Sequence, residues 1–165
     1  MENIEINKSG SPSSASKRRI VLCGSMSAYP EIKRLRDELY LKRVRCIIPE
    51  PEDETKPSLS VEEFEDFKRR VSFSYLKQIR HPLTVAVLAV NLDKHGVRSY
   101  IGPNTFAEIA VAFAQRKRIY VYQSYPDIYR DELSAWNVIE LFGDSRPLVE
   151  DYLLSESEER QLKLF

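Results

Sequence analysis

The run Leu83-Thr84-Val85-Ala86-Val87-Leu88-Ala89-Val90 is apolar almost without interruption. A strand with one wet face alternates apolar and polar residues, whereas a continuous apolar strand has both faces covered. Such a strand belongs in the middle of a parallel sheet with helices on each side. Four further stretches have the short, β-branched or aromatic character of strands: Arg19 to Cys23, Val44 to Ile48, Arg118 to Tyr122 and Val138 to Phe142. Helical spacing fills the intervals. Ile32, Leu35 and Leu39 repeat on a helix through Tyr40, and Phe64, Phe67, Val71, Tyr75 and Ile79 form a stripe between Ser60 and Ile79. Thr105 to Ala114 is apolar all round, Pro126 to Trp136 is helical or irregular, and a last helix begins near Pro147 and runs to Leu154. Alternating strands and helices with short connections predict a single-domain α/β fold. It is a flavodoxin/Rossmann-like three-layer sandwich with a five-stranded parallel sheet and right-handed crossovers.

The domain is expected to occupy residues 18–154 of the 165. Residues 1–17 are a polar tail with nothing to bury, expected to be disordered. Residues 155–165 form a charged C-terminal extension expected to fray. Lys17-Arg18-Arg19 is the solvated approach to the first strand, and Pro49 to Glu54 is an acidic surface loop rather than a metal cradle. Net charge is zero, so no overall field draws the chain to nucleic acid. No apolar run approaches the roughly 20 residues of a membrane helix. Met1 to Glu5 lacks the basic and apolar regions of a signal peptide, and the expected location is cytoplasmic. Two cysteines make no disulfide framework, and His81 and His95 are the only histidines, so no metal site is expected. No glycine-rich dinucleotide fingerprint or phosphate-loop lysine motif is present. Hydride transfer and nucleoside triphosphate hydrolysis therefore fit poorly, and no cofactor is expected.

Glu108 is the only charge between Thr105 and Ala114. Two readings compete for it. In one, Asn104 or Thr105 caps the helix and Thr105-x-x-Glu108 is a capping box, as in Ser60-x-x-Glu63. In the other, Glu108 is a nucleophile or base at the mouth of a cleft, kept ionised by the helix dipole. Gly24-Ser25, directly after the first strand, is either a plain turn or an anion-binding turn. In parallel sheets, ligands bind beyond the carboxyl ends of the strands, where the strand order reverses. Gly24-Ser25-Met26, Asn91-Leu92-Asp93 and the segment Gly102, Asn104, Thr105 to Glu108 all fall at such ends. Their convergence favours the functional reading of Glu108.

Three segments together resemble the nucleoside 2-deoxyribosyltransferase family, which includes deoxynucleoside 5′-monophosphate N-glycosidases. They are Ile20-Val21-Leu22-Cys23-Gly24-Ser25-Met26, the strand ending Val90-Asn91-Leu92-Asp93, and Asn104-Thr105-Phe106-Ala107-Glu108 with the small-residue helix through Lys117. The likeness runs from about Arg19 to Leu153. It implies that Glu108 attacks the anomeric carbon of a nucleoside or nucleotide and displaces the base, and that Gly24-Ser25 faces the sugar 5′ side or a 5′-phosphate. It also implies a homo-oligomer, a dimer or larger; the aromatic residues between Tyr120 and Trp136 could serve its interface, and intramolecular packing explains them equally well. The chain departs from the family pattern at two points. Tyr75 stands where family members carry an aspartate, and Arg98 to Pro103 contains no Asp-x-Gly segment. Asp93 and Tyr75 are the candidates for the remaining acid–base role. The expected activity is N-glycosidic cleavage or deoxyribosyl transfer, and the alternative is a catalytically silent nucleotide-binding module on the same fold. A flavodoxin-like electron carrier, a third possibility, requires bound flavin.

Overall fold

A computed structural model describes residues 18–51 and 59–163. The polar tail 1–17 and most of the acidic loop lie outside the described residues. The order is β1 (Arg19–Gly24), α1 (Tyr29–Leu41), β2 (Cys46–Ile47), α2 (Val61–Arg80), β3 (Thr84–Val90), α3 (Pro103–Ala114), β4 (Arg118–Val121), α4 (Arg130–Ala135), β5 (Ile139–Glu140) and α5 (Arg146–Leu162). Short 3-10 turns at Met26–Ala28 and Asp127–Tyr129 precede α1 and α4.

The five strands form one parallel sheet in the order β2-β1-β3-β4-β5. This is the α/β sandwich expected from the sequence, with β3 in the centre. Alternate strand residues face opposite layers. Ile20, Leu22 and Leu88 pack with Ile32, Leu35 and Leu39 of α1 and Leu148 and Tyr152 of α5. Val21, Cys23, Val87 and Ala89 pack with Ile79 of α2, Ile109 and Ala112 of α3 and Leu133 of α4. The chain leaves β1 toward β2 on one side and returns to β3 on the other. The strand order therefore reverses between β1 and β3, and their carboxyl ends flank the switch point.

Four elements differ from the sequence expectation. The edge strands β2 and β5 hold only two residues each, because each pairs on one side alone. α5 does not stop at Leu154 but continues to Leu162. Arg18 anchors this last stretch. Its Nη2 donates to Ser155 Oγ at 2.9 Å, its Nε lies 3.5 Å from Glu159, and its carbonyl accepts from the Tyr152 hydroxyl at 2.7 Å. Finally, the stripe on α2 is covered only toward its C-terminal end. Ile79 is buried, but Phe64 and Val71 are each 51% exposed.

At Gly24 the two central strands leave no room for a side chain. Gly24 lies beside Val90 in register, and a Cβ there would sit 2.9 Å from the Val90 carbonyl oxygen and 3.3 Å from Ile32 Cδ1. Backbone cannot yield as a flexible side chain can. Gly24→Ala is therefore expected to destabilise the fold by about 1–3 kcal/mol, the usual cost of overpacking. Urea unfolding checks this, and an unchanged midpoint would contradict the close approach.

Candidate active site

Local chemistry at the start of α3 decides what Glu108 does. Gly102 is the N-cap, with φ −79° and ψ 170°, and no side chain caps the helix. Pro103 takes the first helical position, where its missing N–H costs nothing and its fixed φ suits the helix. The helix thus begins before Asn104 and Thr105, and neither is its cap. Thr105 is buried inside the first turn, and Glu108 sits in the second. The expected capping box is absent. At α2 the same spacing does form one: Ser60 N–H donates to Glu63 Oε2 at 2.8 Å, and Glu63 N–H donates to Ser60 Oγ at 3.2 Å. The bland explanation of Glu108 is therefore removed.

Instead, Glu108 meets Cys23 at the end of β1 and lies close to Tyr75 of α2. Burial raises its carboxyl pKa from an ordinary 4.5 to about 7, while a hydrogen bond with the Cys23 thiol partly opposes the shift. Burial opposes the expectation that the helix dipole keeps Glu108 ionised. The dipole acts mainly within the first turn, and desolvation outweighs it in the second. The Cys23 thiol, itself buried, is pushed up by burial first and by Glu108 second. The Tyr75 hydroxyl is raised chiefly by burial, then by Cys23 and Glu108, and it donates to the Leu22 carbonyl. Three weak acids share one partly buried corner, where a first negative charge disfavours a second.

A polar rim occupies the switch point beyond β1 and β3. Ser25 Oγ lies 3.0 Å from Ser27 Oγ and accepts from Lys94 Nζ at 2.6 Å. The Lys94 ammonium also stands 5.5 Å above the Tyr100 ring, and His95 meets that ring edge-on at 6.3 Å. No carboxylate pairs with Lys94 among the described residues. The backbone fixes its position. Lys94 and Val97 exchange both N–H···O bonds, at 3.0 and 2.9 Å, around His95 and Gly96, which have φ 52° and 74°. Positive φ at both central residues is the tight hairpin turn that matches strand twist.

Asn91 and Asp93 hold this rim together. Asn91 is buried. Its Nδ2 donates to the carbonyls of Ser99 and Ser124 at 3.3 and 2.7 Å, and its Oδ1 accepts from Gln123 N–H at 2.8 Å. Asp93 Oδ1 accepts from Ser99 N–H at 2.8 Å. Gly102 lies under Tyr100, whose hydroxyl would be 3.2 Å from a Cβ there, while Met26 opens the 3-10 turn and Asn104 is exposed.

The structure thus brings Glu108 together with Tyr75, and Ser25 together with the loop after β3. Asn91 and Asp93 reach that loop's backbone rather than Glu108. Sequence reasoning missed Cys23, Ser27, Lys94 and Tyr100 as parts of the site. Cys23 read as one more apolar strand residue. The signal for Lys94 was present in His95-Gly96, a turn pair that returns the chain upon itself. Two concavities, of about 580 Å³ along the N-terminal half of α2 and about 480 Å³ beside Arg18, Arg118 and Tyr152, do not include Glu108. Among the described residues no cluster of three or more potential ligands could hold a metal ion, and no helix is long and apolar enough to cross a membrane. No family model matches the chain, and no curated protein or solved structure matches it significantly.

The displaced titration of Glu108 has a sign. The folded state holds the proton more tightly, at about 7 against an ordinary 4.5. Stability contributed by the neutral carboxyl is therefore full below pH 4.5 and is lost as pH rises to about 7. Glu108→Gln, always neutral, is expected to match the parent at pH 4 and to exceed it by up to about 3 kcal/mol at pH 8. Paired urea titrations at the two pH values measure the difference. An equal offset at both would mean that the Glu108 carboxyl is not desolvated.

Proposed function

We propose that the chain cleaves the N-glycosidic bond of a nucleoside or nucleotide, with Glu108 as the nucleophile, in the manner of the nucleoside 2-deoxyribosyltransferases that its sequence resembles. The observation that carries this reading is a partly buried carboxyl near the end of β1 that caps no helix, its pKa raised by burial. Groups whose titration is displaced by burial beside a cleft are over-represented in catalytic sites. With its pKa at about 7, roughly half of Glu108 is ionised at neutral pH. The ionised form attacks the anomeric carbon, a glycosyl ester forms, and the C–N bond electrons leave with the base. Water then hydrolyses the ester and restores the carboxylate, or a second base takes the sugar.

The rim supports a substrate with a 5′-phosphate. Lys94 supplies a cation with no carboxylate partner among the described residues, and Ser25 and Ser27 supply hydroxyls beside it. Asp93, exposed on the same loop, serves as acid–base partner on the solvent side. Tyr75 holds β1 through the Leu22 carbonyl, near Glu108. The protein works as a homo-oligomer without a cofactor.

A catalytically silent nucleotide-binding module remains the second reading. It is favoured by the burial that raises the Glu108 pKa and so leaves less of the carboxylate that attack needs. Incubation with deoxynucleosides and their 5′-monophosphates, with free base resolved by chromatography, separates the two. Base release is expected from the parent, and Glu108→Gln is expected to slow it at least ~100-fold, about 2.7 kcal/mol in barrier. Thermal stabilisation by a nucleotide with no base release would favour the binding module instead.

Lys94→Ala and Ser25→Ala test the phosphate. Each is expected to weaken a monophosphate by about 1.5–3 kcal/mol, the worth of a hydrogen bond to a charged group, and the parent nucleoside far less. Calorimetry on both ligands measures this. Equal losses would mean that the rim does not read phosphate.

A further inference from the structure

The amino-terminal end of the sheet carries a concavity that the glycosidic reading leaves unused. It has a volume of about 480 Å³ and lies between α5 and the beginnings of β1, β3 and β4. That size is within the range of small-molecule pockets. Its floor follows from strand register. Ile20, Ala86 and Arg118 are neighbours across β1, β3 and β4, so their side chains share one face. The next row on that face is Leu22, Leu88 and Tyr120. Ala86 is the smallest of the six, and it lines the hollow. The far wall is α5 from Asp151 to Glu158, a stretch that Arg18 holds through Ser155 and Glu159.

Three arginines surround this apolar floor, and each is committed differently. Arg18 is tied to α5. Arg118 Nη1 lies 3.0 Å from Asp151 Oδ2, which also accepts from the Tyr120 hydroxyl at 2.7 Å. The Asp151 charge is thereby balanced, and a guanidinium carries five N–H donors, so one such contact does not exhaust it. Arg116 has no carboxylate partner among the described residues. Its backbone is fixed at the end of α3. Arg116 N–H donates to the Phe113 carbonyl at 2.9 Å, Lys117 N–H donates to the Ala112 carbonyl at 2.9 Å, and Arg116 has φ 55°. Glycine is the usual residue at such a helix end. Glu158 is the one further acid lining the cavity, and it too has no ion-pair partner among the described residues.

Guanidinium forks suit planar or tetrahedral oxyanions, and the arginines outnumber the acids here. We propose that this concavity binds a small organic anion, a carboxylate or phosphate monoester, whose charged group meets Arg116 and Arg118 and whose apolar body lies among Ile20, Ala86 and Leu148. The site stands apart from the glycosidic reading. Glu108 meets β1 at Cys23, near the other end of that strand, so a test of the cavity does not depend on base release.

Titration calorimetry on the full chain tests the site with four probes: 1-naphthyl phosphate, 1-naphthoate, 1-naphthol and inorganic phosphate. At least one of the two naphthyl anions is expected to bind one-to-one, with a dissociation constant on the order of 100 μM. The tighter of the two identifies the charged group. Naphthol and inorganic phosphate each supply only part of the ligand and are expected to bind at least ~10-fold more weakly. Arg116→Gly removes the guanidinium and suits the positive φ. It should keep or raise the melting temperature while weakening the naphthyl anion at least ~10-fold, so a damaged fold cannot explain the loss. Glu158→Gln should tighten the same anion about 2–5-fold, the scale of one exposed charge interaction. No binding at millimolar probe, or naphthol binding as tightly as either anion, overturns the proposal. Binding that survives Arg116→Gly unchanged, or that weakens with Glu158→Gln, overturns it equally. Loss with Lys94→Ala but not with Arg116→Gly would assign the anion to the rim beyond β1 instead.

Discussion

The pairing of β1 with β3 is the contact on which the rest of the molecule depends. Both strands are buried on two faces, so neither can form without helices above and below. Their parallel alignment requires a crossover, supplied through β2 and α2. At Gly24, beside Val90, their two carboxyl ends meet with no side chain on the β1 side. The rim of Ser25 and Lys94 exists because these two ends are neighbours. Glu108 reaches Cys23 because α3 packs across β1, on the same layer as α2.

Much of this was legible in the sequence because burial leaves a compositional trace. The run from Thr84 to Val90 cannot alternate if both its faces are covered, and it does not. Elements that depend on a single partner were less legible. β2 and β5 read as five-residue strands, yet an edge position supports pairing over only two residues each. The end of α5 was hidden because it depends on a long-range contact. Ser155 and Glu159 look like a fraying tail until Arg18 is placed beside them.

At the candidate site, the sequence singled out Glu108 but misjudged its surroundings. A capping-box spacing is a local pattern, and the outcome depended on which residue starts the helix. Gly102 and Pro103 start α3 early enough to carry Glu108 into the second turn, away from the free N–H groups. Its displaced titration depends on Cys23 and Tyr75, which come from two other elements and are separated from it by long stretches of chain. Nothing in local spacing carries that information. Asn91 illustrates the converse. It read as a substrate contact, but its amide is used up on three backbone groups.

That use of Asn91 has a kinetic consequence. One side chain ties the end of β3 to the loop at Ser99 and to the segment after β4 at Gln123 and Ser124. Opening the loop would strand a buried amide and three backbone partners at once. A molecule arriving at the rim therefore meets a wall that is already in place, and little conformational freedom remains to be lost on contact. Any large movement at this end of the sheet must therefore come from other elements.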